Sequence, residues 1–175
     1  IVVIDSRNVT SGLGVLVLKA CEFRDNGDNI FEIEEKIKNI IPKVKSSLSF
    51  ESLENLVRGG RLSKTAGAIG SVLGLRLILE VKDGQMAVKD KVRGSKKVPA
   101  KLIDLVTQLY EQNPQRPFNL LVADGAMREQ RDLLEQELKS HFPQFNQCIA
   151  AQIGSTLSAY LGPGLLGAAI QFLDD

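Results

Sequence analysis

One histidine, two cysteines and an almost cancelled charge are the first things this 175-residue chain shows, and each scarcity removes a class of function. With 22 basic against 21 acidic residues there is no basic field for a nucleic acid to read. Cys21 and Cys148 have no metal-ligand or disulfide-framework spacing and read as reduced core thiols of a cytoplasmic protein. No run approaches the ~18 apolar residues of a transmembrane segment, and no charged n-region precedes an apolar stretch at the start. HExxH, CxxC and phosphate-loop lysine motifs are missing. A Ser-His-Asp arrangement would have to use His141, which ends a charged helix just before Phe142-Pro143 and suits an interaction with the helix dipole. These shortages argue against an enzyme active site, a metal and a cofactor in this stretch of sequence.

What is present is the patterning of an α/β protein. Ile1-Val2-Val3-Ile4 reads as a buried strand, which needs neighbours on both sides; the chain is therefore expected to be a fragment whose upstream sequence is missing. Gly12-Leu13-Gly14 opens an apolar helix to about Phe23, with Leu13, Leu16, Val17 and Ala20 on one face. Asn29 and Glu32 form a capping-box pair before a helix striped by Ile30, Ile33, Ile37, Ile40, Ile41 and Val44, and Pro42 kinks or ends it. Residues 1–45 thus read as the tail of a truncated N-terminal α/β domain, and 46–175 as a second unit. In that unit, strands are expected at 47–50, 75–81, 85–92, 118–123, 147–152 and 166–172. Asp83-Gly84 is the hairpin signal between the second and third. Helices are expected after Ser52, over 63–73, 98–113 and 127–142 (Leu133, Leu134 and Leu138 inward), and near 155–161. Hairpins mixed with αβ units imply a two-layer α/β sandwich on a mixed, largely antiparallel sheet.

Two glycine-rich turns interrupt this pattern. Arg58 and Arg61 flank Gly59-Gly60, which supports either a glycine helix cap with exposed arginines or an anion site. Gly162-Pro163-Gly164 leads into the last strand and brings bare backbone close to whatever lies opposite. Tyr160, just before it, is either a core aromatic or a ligand-facing hydroxyl donor. Ser158 and its neighbours Ser155 and Thr156 read as helix N-cap and first-turn residues. Arg76, among Leu75, Leu77 and Ile78, faces either an anion or the exposed sheet surface. Lys91, Arg93, Lys96 and Lys97 form a basic run that is either a solvated turn or an anion patch.

Four ordered motifs carry a family resemblance: Val3-Ile4-Asp5-Ser6 with Ser11-Gly12-Leu13-Gly14; Leu53 to Ser63; Lys91-Val92-Arg93-Gly94-Ser95-Lys96-Lys97; and Ile153-Gly154 followed by Gly162-Pro163-Gly164. Together they resemble the DegV family of bacterial fatty-acid-binding proteins. The resemblance implies a two-domain protein holding a long-chain fatty acid in a tunnel, its carboxylate at the domain interface, for presentation to a fatty-acid kinase subunit. It implies head-group contacts from Tyr160, Gly162, Gly164, Ser158, Arg61 and Arg76, and partner docking through Arg58 and Arg93. Leu157, Leu161, Leu165, Leu166, Ile69, Val72 and Leu73 are candidate tunnel walls. The sequence departs from the family pattern where Tyr160 replaces the usual His, and where Leu75-Arg76-Leu77 replaces a Lys-Pro pair. Two alternatives stand beside this reading: a dihydroxyacetone-kinase-like enzyme subunit, whose substrate-holding histidine is absent near the bend, and an interaction domain that has lost its ligand.

Overall fold

A computed structural model describes residues 1–63 and 74–173. Its framework is a six-stranded sheet in the order β3-β2-β1-β6-β4-β5. The strands are β1 (Val44–Ser49), β2 (Leu75–Lys82), β3 (Gln85–Arg93), β4 (Phe118–Gly125), β5 (Cys148–Gln152) and β6 (Leu165–Phe172). Every neighbouring pair is antiparallel except β4 with β5. The mixed, largely antiparallel α/β sheet expected from the sequence is thus present. Central β4 and β6 are buried along their whole length, as their nearly continuous apolar sequences require of strands covered on both faces.

Six described helices cover this sheet: α1 (Ser11–Asp25), α2 (Ile30–Ile40), α3 (Glu54–Arg58), α4 (Val98–Glu111), α5 (Arg128–His141) and α6 (Ser155–Leu161). One face carries α4 and α5, where Leu102, Leu105, Val106, Leu134 and Leu138 bury against Phe118, Leu120, Val122, Leu166 and Ile170. The other face carries α1, whose Val15 and Leu16 pack on Val44, Leu121 and Ala169. Beside it, α3 and α6 enclose Leu48, Leu53, Leu56, Leu77, Leu79, Leu161 and Leu165. The expected helix over 63–73 falls, but for Ser63, outside the described residues.

Local chemistry explains several boundaries. Asn29 accepts from the Phe31 and Glu32 amides while Glu32 Oε2 accepts from the Asn29 amide, completing the capping box. Pro42 stands in the short 3₁₀ turn Ile41–Lys43 that follows α2. Asp83 and Gly84 both have positive φ, 51° and 79°, the conformation of a type I′ hairpin turn.

Four expectations are corrected. Ile1–Ile4 is not a strand: Ile1 and Val3 are exposed, and the segment has no ladder partner among the described residues. β propensity cannot make a strand without an edge to pair with. The buried face of α1 is Gly12, Val15 and Leu16, leaving Leu13 and Val17 in solvent. Ile30 on α2 and Leu133 on α5 are exposed as well, because each lies off the stripe that meets the sheet. β1 begins at Val44, not Ser47, since β6 offers partners as far as Gln171.

Candidate functional site

The sheet topology gathers the glycine-rich motifs at one end of the molecule. Strands β1, β3, β4 and β5 finish there, and β2 and β6 begin there. The segment after β1, the start of β2, the end of β4 and the bend before β6 are therefore neighbours in space. In sheets with parallel strands, the carboxyl ends are the usual place for a ligand crevice.

At this end the α3 turn meets the bend. Helix α3 stops at Gly59-Gly60, where the Arg61 and Leu62 amides both donate to the Leu56 carbonyl. The turn swings Arg61 over Tyr160, placing its guanidinium carbon 5.0 Å from the ring centroid. A Cβ at Gly59 would sit 3.3 Å from Tyr160 Cδ1 and 3.1 Å from the Asn55 carbonyl oxygen, so the ring packs closely on the bare glycine. Arg61 also donates through Nη1 to the Gly59 carbonyl. Tyr160 remains 46% exposed, so this cation–aromatic pair forms a solvent-facing rim. Beneath the rim lie Leu53, Leu56, Leu161 and Leu165, with Leu157 packed against them.

The bend itself is built on left-handed backbone. Gly162 and Gly164 have φ of +77° and +78°, values that favour glycine. Asn55 Nδ2 lies 3.2 Å from where a Gly162 side chain would begin. At Gly164 the corresponding position is 2.6 Å from Glu51 Oε2 and closer still to Glu51 Cβ. The Gly164 amide donates to the Gly125 carbonyl at 2.8 Å, tying the bend to the end of β4. Next to it, fully buried Asp124 accepts from the Met127 amide and from Arg131 Nη1 at 3.1 Å. Arg131 is shared with Asp132, whose hydrogen bond does most to hold the guanidinium above its usual pKa.

Arg76 stands on the other flank. It donates to the Glu51 carbonyl, and its Nη2 lies 4.0 Å from Glu51 Oε1. Together with Gly164 it lines a cavity of about 180 Å³ whose other walls include Phe50, Val98, Met127 and Leu166.

The predicted site residues therefore divide. Arg61, Tyr160 and Gly162 come together on the α3–α6 side, and Arg76 with Gly164 forms the cavity flank. Ser158 turns its hydroxyl onto the Gly154 carbonyl of its own helix at 3.1 Å. Arg58 pairs with Glu54 one turn back on exposed α3, and Arg93 is exposed at the end of β3, opposite Leu75. Of the candidate tunnel walls, Leu157, Leu161 and Leu165 share one cluster, while Leu166 packs on the opposite sheet face. Ile69, Val72 and Leu73 lie outside the described residues. Sequence reasoning missed Glu51, Asn55 and the Asp124–Arg131 pair. The signal for the first two was indirect: a glycine forced at 162 or 164 implies a side chain pressing on it.

Residues 1–173 match the family model described as "Uncharacterised protein, DegV family". A DegV domain-containing protein of Clostridium acetobutylicum is 47% identical over 167 residues, 95% of this chain and 58% of that protein. Another from Caldanaerobacter subterraneus subsp. tengcongensis is 36% identical over 165 residues, 94% of this chain and 58% of that one. Among solved structures, a DegV family protein from Thermus thermophilus described by its fatty acid binding aligns with a TM-score of 0.88 at 22% identity, covering 98% of this chain and 61% of that one. A DegV family protein from Eubacterium eligens loaded with heptadecanoic acid aligns with a TM-score of 0.83 at 21% identity, covering 96% and 59%. Likeness at these identities establishes the fold. The chain spans less than two thirds of the length of each of these relatives.

Proposed function

The chain belongs to the DegV family, and on that premise we propose that it is part of a lipid-binding protein that holds a long-chain fatty acid by its carboxylate at the Arg61–Tyr160 rim. The observation that carries the reading is the placement of a guanidinium and a phenol hydroxyl above an apolar cluster, at the sheet end where two glycine turns meet. Arg61 supplies charge and several donors to a carboxylate, and Tyr160 supplies one more hydrogen bond. The apolar cluster beside the rim is closed within this chain, and in this reading the acyl chain runs from the rim into a tunnel that the rest of the full-length protein completes. Each buried methylene contributes about 0.8 kcal/mol, so the tail accounts for most of the affinity and the rim sets its orientation.

This arrangement carries a ligand without transforming it. In this reading the bound carboxylate is offered outward for a kinase subunit to phosphorylate, and exposed Arg58 and Arg93 serve docking. Full-length relatives have a further part that would complete the tunnel. Among the described residues no helix is long and apolar enough to cross a membrane, consistent with a carrier that meets its partner in solution.

The test is mass spectrometry of the full-length protein after gentle extraction, followed by titration with palmitate. Long-chain fatty acid in the extract, and palmitate affinity that drops at least about tenfold in Arg61→Ala, are expected. Lipid-free protein that also ignores added palmitate refutes the proposal.

A further inference from the structure

At the end of the sheet away from the rim, β1 and β2 part. Their ladder stops at Ser47 opposite Glu80, yet both strands continue: Val44–Ser46 stay paired with β6, and Val81 and Lys82 stay paired with β3. A cleft of about 810 Å³ opens where they separate, within the roughly 300–1,000 Å³ of ligand clefts. Val44 packs with α1, and Val81 packs on the cluster under α3 and α6. The pleat therefore turns Lys45 and Lys82 to the opposite face, where Leu109 of α4 borders the cleft. The parted strands thus present valines on one side of the sheet plane and lysines on the other. Nearby carboxylates are already engaged: Glu80 pairs with Lys89 at 3.1 Å, and Asp5 accepts from the Arg7 amide. Asp83 belongs to the hairpin turn. Lys45, Lys82 and the Arg7 guanidinium are exposed and have no carboxylate partner among the described residues.

We propose that this fork is a docking site for an extended acidic segment of a partner protein, which lies as a short strand between β1 and β2. Parted strands leave main-chain groups on their facing sides without a ladder partner, and an added strand supplies one to each. Side chains alternate along a strand. A segment with Asp or Glu at every second position and apolar residues between sets its carboxylates toward Lys45 and Lys82 and its apolar groups toward Val44 and Val81. Opposite charges on neighbouring strands favour pairing and like charges oppose it, so the fork selects an acidic strand over a basic one. Neither edge strand of a second copy supplies that pattern: β3 carries Lys89, Lys91 and Arg93, and β5 has no carboxylate. The site lies at the other end of the sheet from the rim and does not rest on the fatty-acid reading.

The probe is a short fluorescein-labelled peptide of alternating glutamate and valine, titrated with the full-length protein and followed by fluorescence anisotropy. Saturable binding that weakens as salt rises is expected. A lysine–valine peptide should bind at least about tenfold more weakly, and methylating the backbone amides of the acidic peptide should also weaken it. Lys45→Glu combined with Lys82→Glu should lower its affinity about tenfold or more and leave palmitate binding as it was. Lys45→Gln with Lys82→Gln should fall between this variant and the parent. Lys96→Glu with Lys97→Glu makes the same change of net charge on exposed residues outside the cleft and should leave the peptide alone. No saturable binding, as when the rest of the full-length chain fills the fork, would overturn the proposal. So would equal affinity for the basic peptide, indifference to amide methylation, equal losses in the two charge-reversed variants, or displacement of the peptide by palmitate. A dimer in sedimentation that Lys45→Glu with Lys82→Glu breaks would give the fork to a second copy instead. A protein that takes the peptide yet refuses palmitate would keep this site and remove the rim reading.

Discussion

Replacing Gly164 with alanine is the sharpest probe of the bend. Two costs add there. The residue has φ +78°, and an L-residue in the left-handed region costs about 1–2 kcal/mol. The new Cβ would also meet Glu51, 2.6 Å from Oε2 and closer to Cβ. The carboxylate is the free end of a flexible side chain and can turn away. The Cβ of Glu51 is fixed to its backbone, so either the bend or residue 51 has to move. Overpacking of that kind costs typically about 1–3 kcal/mol. The sum is about 2–5 kcal/mol, and for a protein of this size each kcal/mol lowers Tm by roughly 2–4 °C. Gly94→Ala separates the two costs, because Gly94 has φ +88° with nothing within 4 Å of its added Cβ; it should lose only the conformational part. Urea denaturation of both variants, compared at equal m-value, measures the difference. In the Gly164→Ala background, Glu51→Gly should recover most of the contact cost while Glu51→Ala should not, since alanine keeps the offending Cβ. If Gly164→Ala matched Gly94→Ala within about 0.5 kcal/mol, the packing of Glu51 on the bend would be wrong.

Three further outcomes are expected. Arg131→Met leaves fully buried Asp124 with only the Met127 amide and should cost about 3–5 kcal/mol in denaturant unfolding; Asp124→Asn, which keeps a hydrogen-bonding group there, should cost less. Burial pushes the Cys148 thiol up to about 11, with Glu135 adding to the shift. The unfolded chain therefore loses this proton first, near the free-thiol value of about 8.5. Stability from this thiol is full below that pH and declines as pH rises toward about 11, and Cys148→Ala should remove that alkaline slope; at pH 8 a disulfide reagent should label Cys148 more slowly in folded than in unfolded protein. Tyr160→Phe keeps the ring under Arg61 and removes the hydroxyl, so palmitate affinity should fall severalfold, by less than in Arg61→Ala; unchanged affinity would show that the hydroxyl is not a head-group donor.

Much of the fold was legible because its cues are local. The Asn29–Glu32 capping box, the Asp83-Gly84 turn and Pro42 each specify backbone through their own side chains, and all three act as their sequences imply. What was illegible depends on partners. In α1 the run Val15-Leu16-Val17-Leu18 offers apolar residues in nearly every direction, so periodicity alone does not say which pair meets the sheet. Ile1–Ile4 has strand composition without a strand, because pairing is a property of two segments. The site shows the same division. Its glycines and arginines stand out in sequence, whereas Glu51 and Asn55 become visible only once β6 is laid beside β1 and the bend falls on the segment that follows β1.

That register also ties the position of the rim to residues that never face it. β6 is bonded to β1 on one side and β4 on the other, so the bend that starts it inherits its position from both. The β4 contact is reinforced twice, by the Gly164 amide on the Gly125 carbonyl and by the Ile153 amide on the Asp124 carbonyl. Asp124 is held in turn by Arg131, from a helix on the opposite face. A change at Arg131 should therefore loosen the bend as well as the core, whereas a change at Arg61 should act at the rim alone, through its charge and its stacking on Tyr160. The distinction matters because Tyr160 brings no cation to the place where the family resemblance implies a histidine. The rim's positive charge then rests on Arg61, which must itself be kept over the ring by the Gly59-Gly60 turn. A lysine at 61 keeps the charge but not the planar fork that lies over the phenol. Arg61→Lys should thus bind palmitate more weakly than the parent chain and more tightly than Arg61→Ala, and only a rim built on both charge and stacking gives that order.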